Sequence, residues 1–194
     1  MNAALKPHLQ PLATAESSSA QFTVGFSGHR KLPDERAARA AVRAGLAEQQ
    51  ASAAKAGARL MAVSSIALGA DLIFAEECLE AGVAWRCLLP FSREELRKDG
   101  YIAAEWARAE ACLERAQSVE VAVPETPLDT EERSAAYLEC GRRTVEAANV
   151  MMLLWNGKRA AGPGGTGDVW AYARSLRKSV WHYNTETGEI LRTG

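Results

Sequence analysis

The run Gly162-Pro163-Gly164-Gly165-Thr166-Gly167-Asp168 carries the strongest chemical signal in the chain. It follows a short apolar run at 150–155 that is closed by Asn156-Gly157, and helical sequence begins near Asp168. Strand, glycine loop and helix in that order suit an anion. The first N–H groups of a helix have no partner within it, and glycines let the backbone come close to a phosphate. Gly164 and Gly165 would give that close approach, Thr166 a hydroxyl donor, and Gly167 and Asp168 the helix start. Gly162, Gly164 and Gly167 also match G-x-G-x-x-G in form. The dinucleotide reading of that spacing is set aside, because the motif comes late in the chain rather than in its first strand–helix–strand unit.

Two further stretches belong to the same chemistry. Ser27-Gly28-His29-Arg30 directly follows the first apolar strand, where Arg30 could clamp a phosphate and His29 reads as a loop residue rather than a base. Leu68-Gly69-Ala70-Asp71 opens the second helix. Asp71 has three open roles: to cap that helix, to hold a ribose hydroxyl, or to structure the glycine loop. Asn156 stands at the same end of its strand as these loops. Asp71 and Asp168 are the candidate catalytic carboxylates if the protein is an enzyme.

The elements that must position these residues alternate. Strands are expected at 22–26, 59–66, 84–89, 119–123, 150–155 and 179–183 from short apolar runs ended by Gly, Pro or Asn. Helices are expected at 34–55, 71–81, 130–147 and 168–177, with helical segments between Ser92 and Gln117 broken near Gly100. Ser92 and Glu95 have the spacing of a capping box. In the helix at 130–147, Leu138, Gly141, Val145 and the following Ala148 are expected to face inward, with Arg142 and Arg143 off that face. This alternation predicts an α/β fold, a Rossmann-like three-layer sandwich with a mainly parallel sheet of about six strands and helices on both faces. Ligands of such sheets bind outside the carboxyl ends of the strands. The loops after the strands, Pro90-Phe91-Ser92 among them, would then share one rim and one site. The domain is expected at 21–184, after a disordered leader at 1–20 and before a C-terminal tail or weak hairpin at 185–194.

Composition narrows the class. The 194 residues are 47% hydrophobic with a net charge of −1. That is globular, with no basic excess, so nucleic acid is not expected as a partner. No apolar run approaches the roughly 20 residues of a membrane span, and the N-terminus lacks the apolar core of a signal peptide. Cys78, Cys87, Cys112 and Cys140 are widely spaced, which reads as buried free thiols of a cytoplasmic protein and not as a metal site. Trp85, Trp106, Trp170 and Trp181 read as core or interface residues. No metal and no cofactor is expected.

Ser27-Gly28-His29-Arg30, Gly69-Ala70-Asp71 and Gly164-Gly165-Thr166-Gly167-Asp168 together resemble the SLOG superfamily over roughly residues 21–184. That group includes the Lonely Guy phosphoribohydrolases, the DNA-processing protein A family and several nucleotide-sensing modules. The resemblance implies a Rossmann-like sheet, a nucleotide or nucleotide-derived ligand, and often a homodimer built through helices. The phosphoribohydrolases carry Pro-Gly-Gly-x-Gly-Thr-x-x-Glu, whose glutamate works on the N-glycosidic bond. Here Pro163 to Gly167 match, Asp168 replaces the threonine and Ala171 stands at the glutamate position. The first reading is therefore a module that binds or senses a nucleotide. The alternative is an N-glycosidase, a nucleoside monophosphate phosphoribohydrolase or a relative of the deoxyribosyltransferases, that uses a carboxylate from another loop.

Overall fold

A computed structural model describes residues 20–126, 129–158 and 163–194. The chain runs β1 (Gln21–Gly28), α1 (Glu35–Lys55), β2 (Arg59–Ser64), α2 (Ala70–Glu80), β3 (Ala84–Leu89) and α3 (Arg93–Arg97). It continues with α4 (Ala103–Arg115), β4 (Ser118–Val121), α5 (Thr130–Ala147), β5 (Val150–Trp155), α6 (Thr166–Ser175), β6 (Ser179–Asn184) and β7 (Ile190–Thr193). The strands form one sheet in the order β4-β3-β2-β1-β5-β6-β7. Every neighbouring pair is parallel except β6 with β7. The fold is the three-layer, Rossmann-like α/β sandwich expected from the alternation, with one antiparallel edge strand added by a hairpin between Tyr183 and Ile190.

The strands read as continuous apolar runs because both faces of the sheet are covered. All of β5 is buried, and its side chains divide by alternation. Val150, Met152 and Leu154 join the core formed with α1, α2 and α4, which includes Val42, Leu46, Phe74 and Leu113. Met151 and Leu153 join a second cluster with Val145 of α5 and Val169 and Ala173 of α6. Each fully buried side chain of this size contributes on the order of 1.5–3 kcal/mol. Trp85, Trp106 and Trp181 are buried as expected, while Trp170 is half-buried against Trp155.

Local signals set the helix ends. Asp34 caps α1 by accepting from the Ala37 amide at 2.9 Å, and Asp129 caps α5 by accepting from the Glu132 amide at 2.9 Å. Ser92 accepts from the Glu95 amide, but Glu95 does not complete the capping box: its carboxylate bonds Lys98 and Arg133 instead. The inward stripe of α5 is Ala136, Cys140, Thr144 and Val145, so Leu138 and Gly141 are only half-buried. The helix is turned because it must pack on both the sheet and α6. Of the leader expected at 1–20, residues 1–19 lie outside the described residues. So does Gly162, and with it the G-x-G-x-x-G spacing. Among the described residues no helix is long and apolar enough to cross a membrane.

Candidate functional site

The sheet order reverses at β1. From there the chain adds β2, β3 and β4 on one side, then returns through α5 to place β5 and β6 on the other. Crossovers on opposite faces leave a crevice at the carboxyl ends of β1 and β5, where open α/β sheets take ligands. A cleft of about 740 Å³ opens there. Its walls are the end of β1 (Ser27 to Lys31), the loop after β2 (Ser65, Ala67), Asp71, the end of β5 (Trp155, Asn156), the glycine loop (Pro163 to Gly167) and the loop after β6 (Thr185, Glu186). Tyr137, Cys140, Gly141 and Thr144 of α5 complete it at helical spacing.

The β1 end is held from two sides. The His29 amide donates to Leu154 O at 2.9 Å, and His29 O accepts from the Ala70 amide at 3.0 Å. His29 Nε2 accepts from the Asn156 amide at 3.3 Å, which ties β1 to β5 across the cleft. Gly69 has φ +80°, and a Cβ there would lie 2.3 Å from Arg30 O. Its glycine is therefore demanded by contact with Arg30, and Gly69 does not line the cleft. Asp71 does. Its Oδ1 accepts from the Gly28 amide at 3.1 Å, so it fixes the loop after β1, a role outside the three left open. Burial pushes this carboxyl up to about 7; the Gly28 amide, the Arg30 charge and the Ala67 backbone offset the rise in part.

The glycine loop is arranged differently from expectation. Asp168 Oδ2 accepts from the Gly164 amide at 2.9 Å, closing the loop on itself, and Asp168 does not line the cleft. Gly164 has φ +81°, and a Cβ there would lie 2.8 Å from Tyr137 Cβ and 2.9 Å from the Leu138 amide. Its glycine is demanded by the close pass of α5. Helix α6 starts at Thr166, two residues before the expected Asp168, with Gly165 as N-cap in an extended conformation. Ser27 Oγ donates to Thr166 Oγ1 at 3.3 Å, so that hydroxyl is engaged and buried. Among the described residues the Thr166 and Gly167 amides donate to no protein group, as the first turn of a helix leaves them.

Charge at the cleft comes from Arg30, Lys31 and Lys158, set against Asp71 and Glu186. Arg30 Nη2 pairs with Asp99 Oδ2 at 3.0 Å, and Lys158 Nζ with Glu186 Oε1 at 2.8 Å. Lys31 is exposed, and no ion pair reaches it among the described residues. Asn156 lines the cleft with its side chain occupied: Oδ1 accepts from the Lys158 amide and Nδ2 donates to Glu186. Among the described residues no group of His, Cys, Asp and Glu is placed to hold a metal ion. The four cysteines are free and buried, and burial raises the thiol pKa of each, with Cys140 at about 12.

Thus Ser27, Gly28, His29, Arg30, Asp71, Asn156 and Gly164 to Gly167 come together, while Gly69 and Asp168 support the cleft from outside it. Neither Arg142 nor Arg143 of α5 reaches the site: Arg142 lies over the Tyr172 ring, and Arg143 faces Val121 O and Glu120. Pro90-Phe91-Ser92 also stays out, with Phe91 packed edge-on under Tyr137. The residues that sequence reasoning missed are Lys31, Trp155, Lys158, Tyr137, Thr185 and Glu186. Lys31, Trp155 and Lys158 adjoin stretches already singled out. Nothing local marks the others, because the topology brings α5 and the loop after β6 to this rim.

No family model matches the sequence, and no curated protein is similar to it. Among solved structures, DNA processing protein A from Helicobacter pylori has a similar fold, with a TM-score of 0.54 at 20% identity over 83% of this chain. The chain spans 64% of that protein's length. That structure was described for its single-stranded DNA binding mode. It corrects the expectation that set nucleic acid aside on total charge: a protein of this fold binds single-stranded DNA. The physical reason is that a total near zero averages over the surface and does not by itself exclude such a partner.

Proposed function

We propose that the cleft binds a nucleotide or a nucleotide-derived molecule, with a phosphate at the N-terminus of α6. The observation that carries this reading is the meeting of the β1 end, the glycine loop and Arg30 at the β1/β5 reversal. The Thr166 and Gly167 amides offer aligned donors there, and the helix N-terminus adds roughly 0.3–1 kcal/mol for an exposed anion and up to about 2 when partly buried. Arg30 and Lys31 supply full charge, and charge-assisted hydrogen bonds contribute about 1.5–3 kcal/mol each. This reading agrees with the SLOG resemblance, and Ala171 at the glutamate position favours binding over hydrolysis.

One observation keeps the N-glycosidase reading as the second. Asp71 is a buried carboxyl on the cleft wall, raised to about 7, which suits proton transfer near neutral pH. Asp168 no longer shares that candidacy, since it does not line the cleft. A thermal-shift series with the four ribonucleoside monophosphates and with short single-stranded oligonucleotides tests the first reading. Stabilisation by at least one of them is expected, and no stabilisation by any would refute it. Chromatography of incubations with whichever monophosphate binds should find little free base. Multiple-turnover release that Asp71→Asn abolishes and Asp168→Asn spares would make the second reading the correct one.

A further inference from the structure

Arg30 is fixed at the cleft by residues that are not part of the glycine loop. Its Nη2 donates to Asp99 Oδ2 at 3.0 Å, and its Cζ lies 4.8 Å from the centre of the Tyr137 ring. Asp99 belongs to the connection between α3 and α4, and Tyr137 to α5. The same Asp99 Oδ2 accepts a short hydrogen bond from the Tyr137 hydroxyl, so edge contact and face contact are locked to each other. Asp99 Oδ1 accepts from Arg133 Nη2 at 3.3 Å, and Arg133 lies 4.3 Å over the Phe91 ring and bonds Glu95. The backbone of Arg30 is pinned as well, because its carbonyl rests on Gly69.

A guanidinium has five N–H donors in a planar fork. One serves Asp99, and among the described residues no other acceptor takes the remainder. Arg30 and Tyr137 line the cleft, whereas Asp99 and Arg133 do not. The arrangement therefore holds one edge of the arginine and leaves the rest for a ligand. We propose that Asp99 and Tyr137 are positioning residues for Arg30, holding its guanidinium ready for the phosphate of the nucleotide ligand; this rests on the function proposed above. Arg133 keeps Asp99 in place and balances its charge, so the acid orients Arg30 without cancelling the positive charge that the ligand meets.

The alternative role for Asp99 is that of a simple negative charge that competes with the ligand for Arg30. Two substitutions separate the roles. Asp99→Asn and Asp99→Ala remove the same charge, but only the amide keeps an oxygen that can accept from Arg30 and Tyr137. If Asp99 positions, the alanine variant binds more weakly than the asparagine variant, by roughly threefold to tenfold, the range expected when a long side chain must be ordered on binding. If Asp99 only repels, the two variants bind alike.

The experiment is isothermal titration of the monophosphate that the parent binds most tightly among AMP, GMP, CMP and UMP, with each variant made in the parent and in the Arg30→Ala background. The expected result is a gap between the two Asp99 variants that closes once Arg30 is absent. Tyr137→Phe keeps the ring and loses the hydroxyl, so it should weaken binding in the parent background alone. It also serves as the test if Asp99→Ala does not fold. Equal affinities for the two Asp99 variants, a gap that persists without Arg30, or parent-like binding by Tyr137→Phe would each overturn the proposal while the nucleotide reading stands. A parent that binds none of the four monophosphates overturns the proposal, and one that also binds no short oligonucleotide overturns the nucleotide reading.

Discussion

Asp71→Asn should stabilise the protein at alkaline pH and leave it nearly unchanged below about pH 4. The Asp71 carboxyl, ordinarily near 3.8, sits at about 7 because the cleft wall removes water from it. In the unfolded chain it ionises from about pH 4 upward. Between pH 4 and 7 the folded state therefore holds a proton that the unfolded state has released, and stability falls as pH rises through that window. The span from 3.8 to about 7 corresponds to about 4 kcal/mol, the full cost of keeping the ionised group folded above pH 7. Asparagine retains a carbonyl oxygen for the Gly28 amide, now 3.1 Å from Oδ1, and has nothing to ionise. Other titrating groups are common to both proteins, so the difference in stability isolates Asp71. Urea unfolding of parent and variant at pH 5 and pH 8 measures it. The variant's advantage should grow between those values by about 3 kcal/mol at most, the part of the span that lies between pH 5 and 7. A difference that stays constant with pH would refute the reasoning, because it would mean that Arg30 and the amides hold the carboxylate ionised at its ordinary value.

Three other substitutions test the cleft. Gly165→Val should fold, since φ −75° and ψ 169° suit any residue, and should abolish nucleotide binding in calorimetry by covering the N-terminus of α6. Arg30→Ala should weaken nucleotide binding by roughly tenfold, the value of one charge-assisted hydrogen bond, and flatten its dependence on salt, as titrations at low and high ionic strength would show. Gly69→Ala should cost about 2–3 kcal/mol in urea unfolding, because alanine at φ +80° is strained and its Cβ meets Arg30 O at 2.3 Å.

The order of elements was readable because the central strands are buried on both faces and so must be short apolar runs, while glycines follow the first helices as stops. Gly57 and Gly82, both with positive φ, follow α1 and α2 closely, and Ala84–Leu89 has the same limits in sequence and structure. The rim that gathers the ligand-facing loops was readable for the same reason, since parallel strands place their ends together. Side-chain partners were not. Gly164 looks like a phosphate-loop glycine, yet what demands it is the close pass of α5. Asn156 looks like a ligand contact, yet it is bonded to Lys158 and Glu186. Such choices depend on which distant element arrives at the rim, and local sequence does not encode that.

Asp71 and Asp168 make the point most sharply, because their local sequences are alike. Each stands in the first turn of a helix whose N-cap is glycine, where a carboxylate is favoured by the helix dipole. Asp168 turns back to the amide of Gly164 in its own loop, on a partly exposed surface. Asp71 reaches the amide of Gly28 on another strand, and that reach carries it into the interior beside Arg30. Asp71 thereby becomes a group that changes charge near neutral pH on the wall of the cleft, and Asp168 becomes a fixed strut. A phosphate that engages Arg30 would weaken the arginine's hold on the Asp71 charge and raise that carboxyl further. Binding of an anion should then take up a proton, and affinity should be higher at pH 6 than at pH 8. In buffers of different ionisation enthalpy, calorimetry at pH 7 would detect that proton, and a proton count of zero would mean that Asp71 and the ligand do not share Arg30.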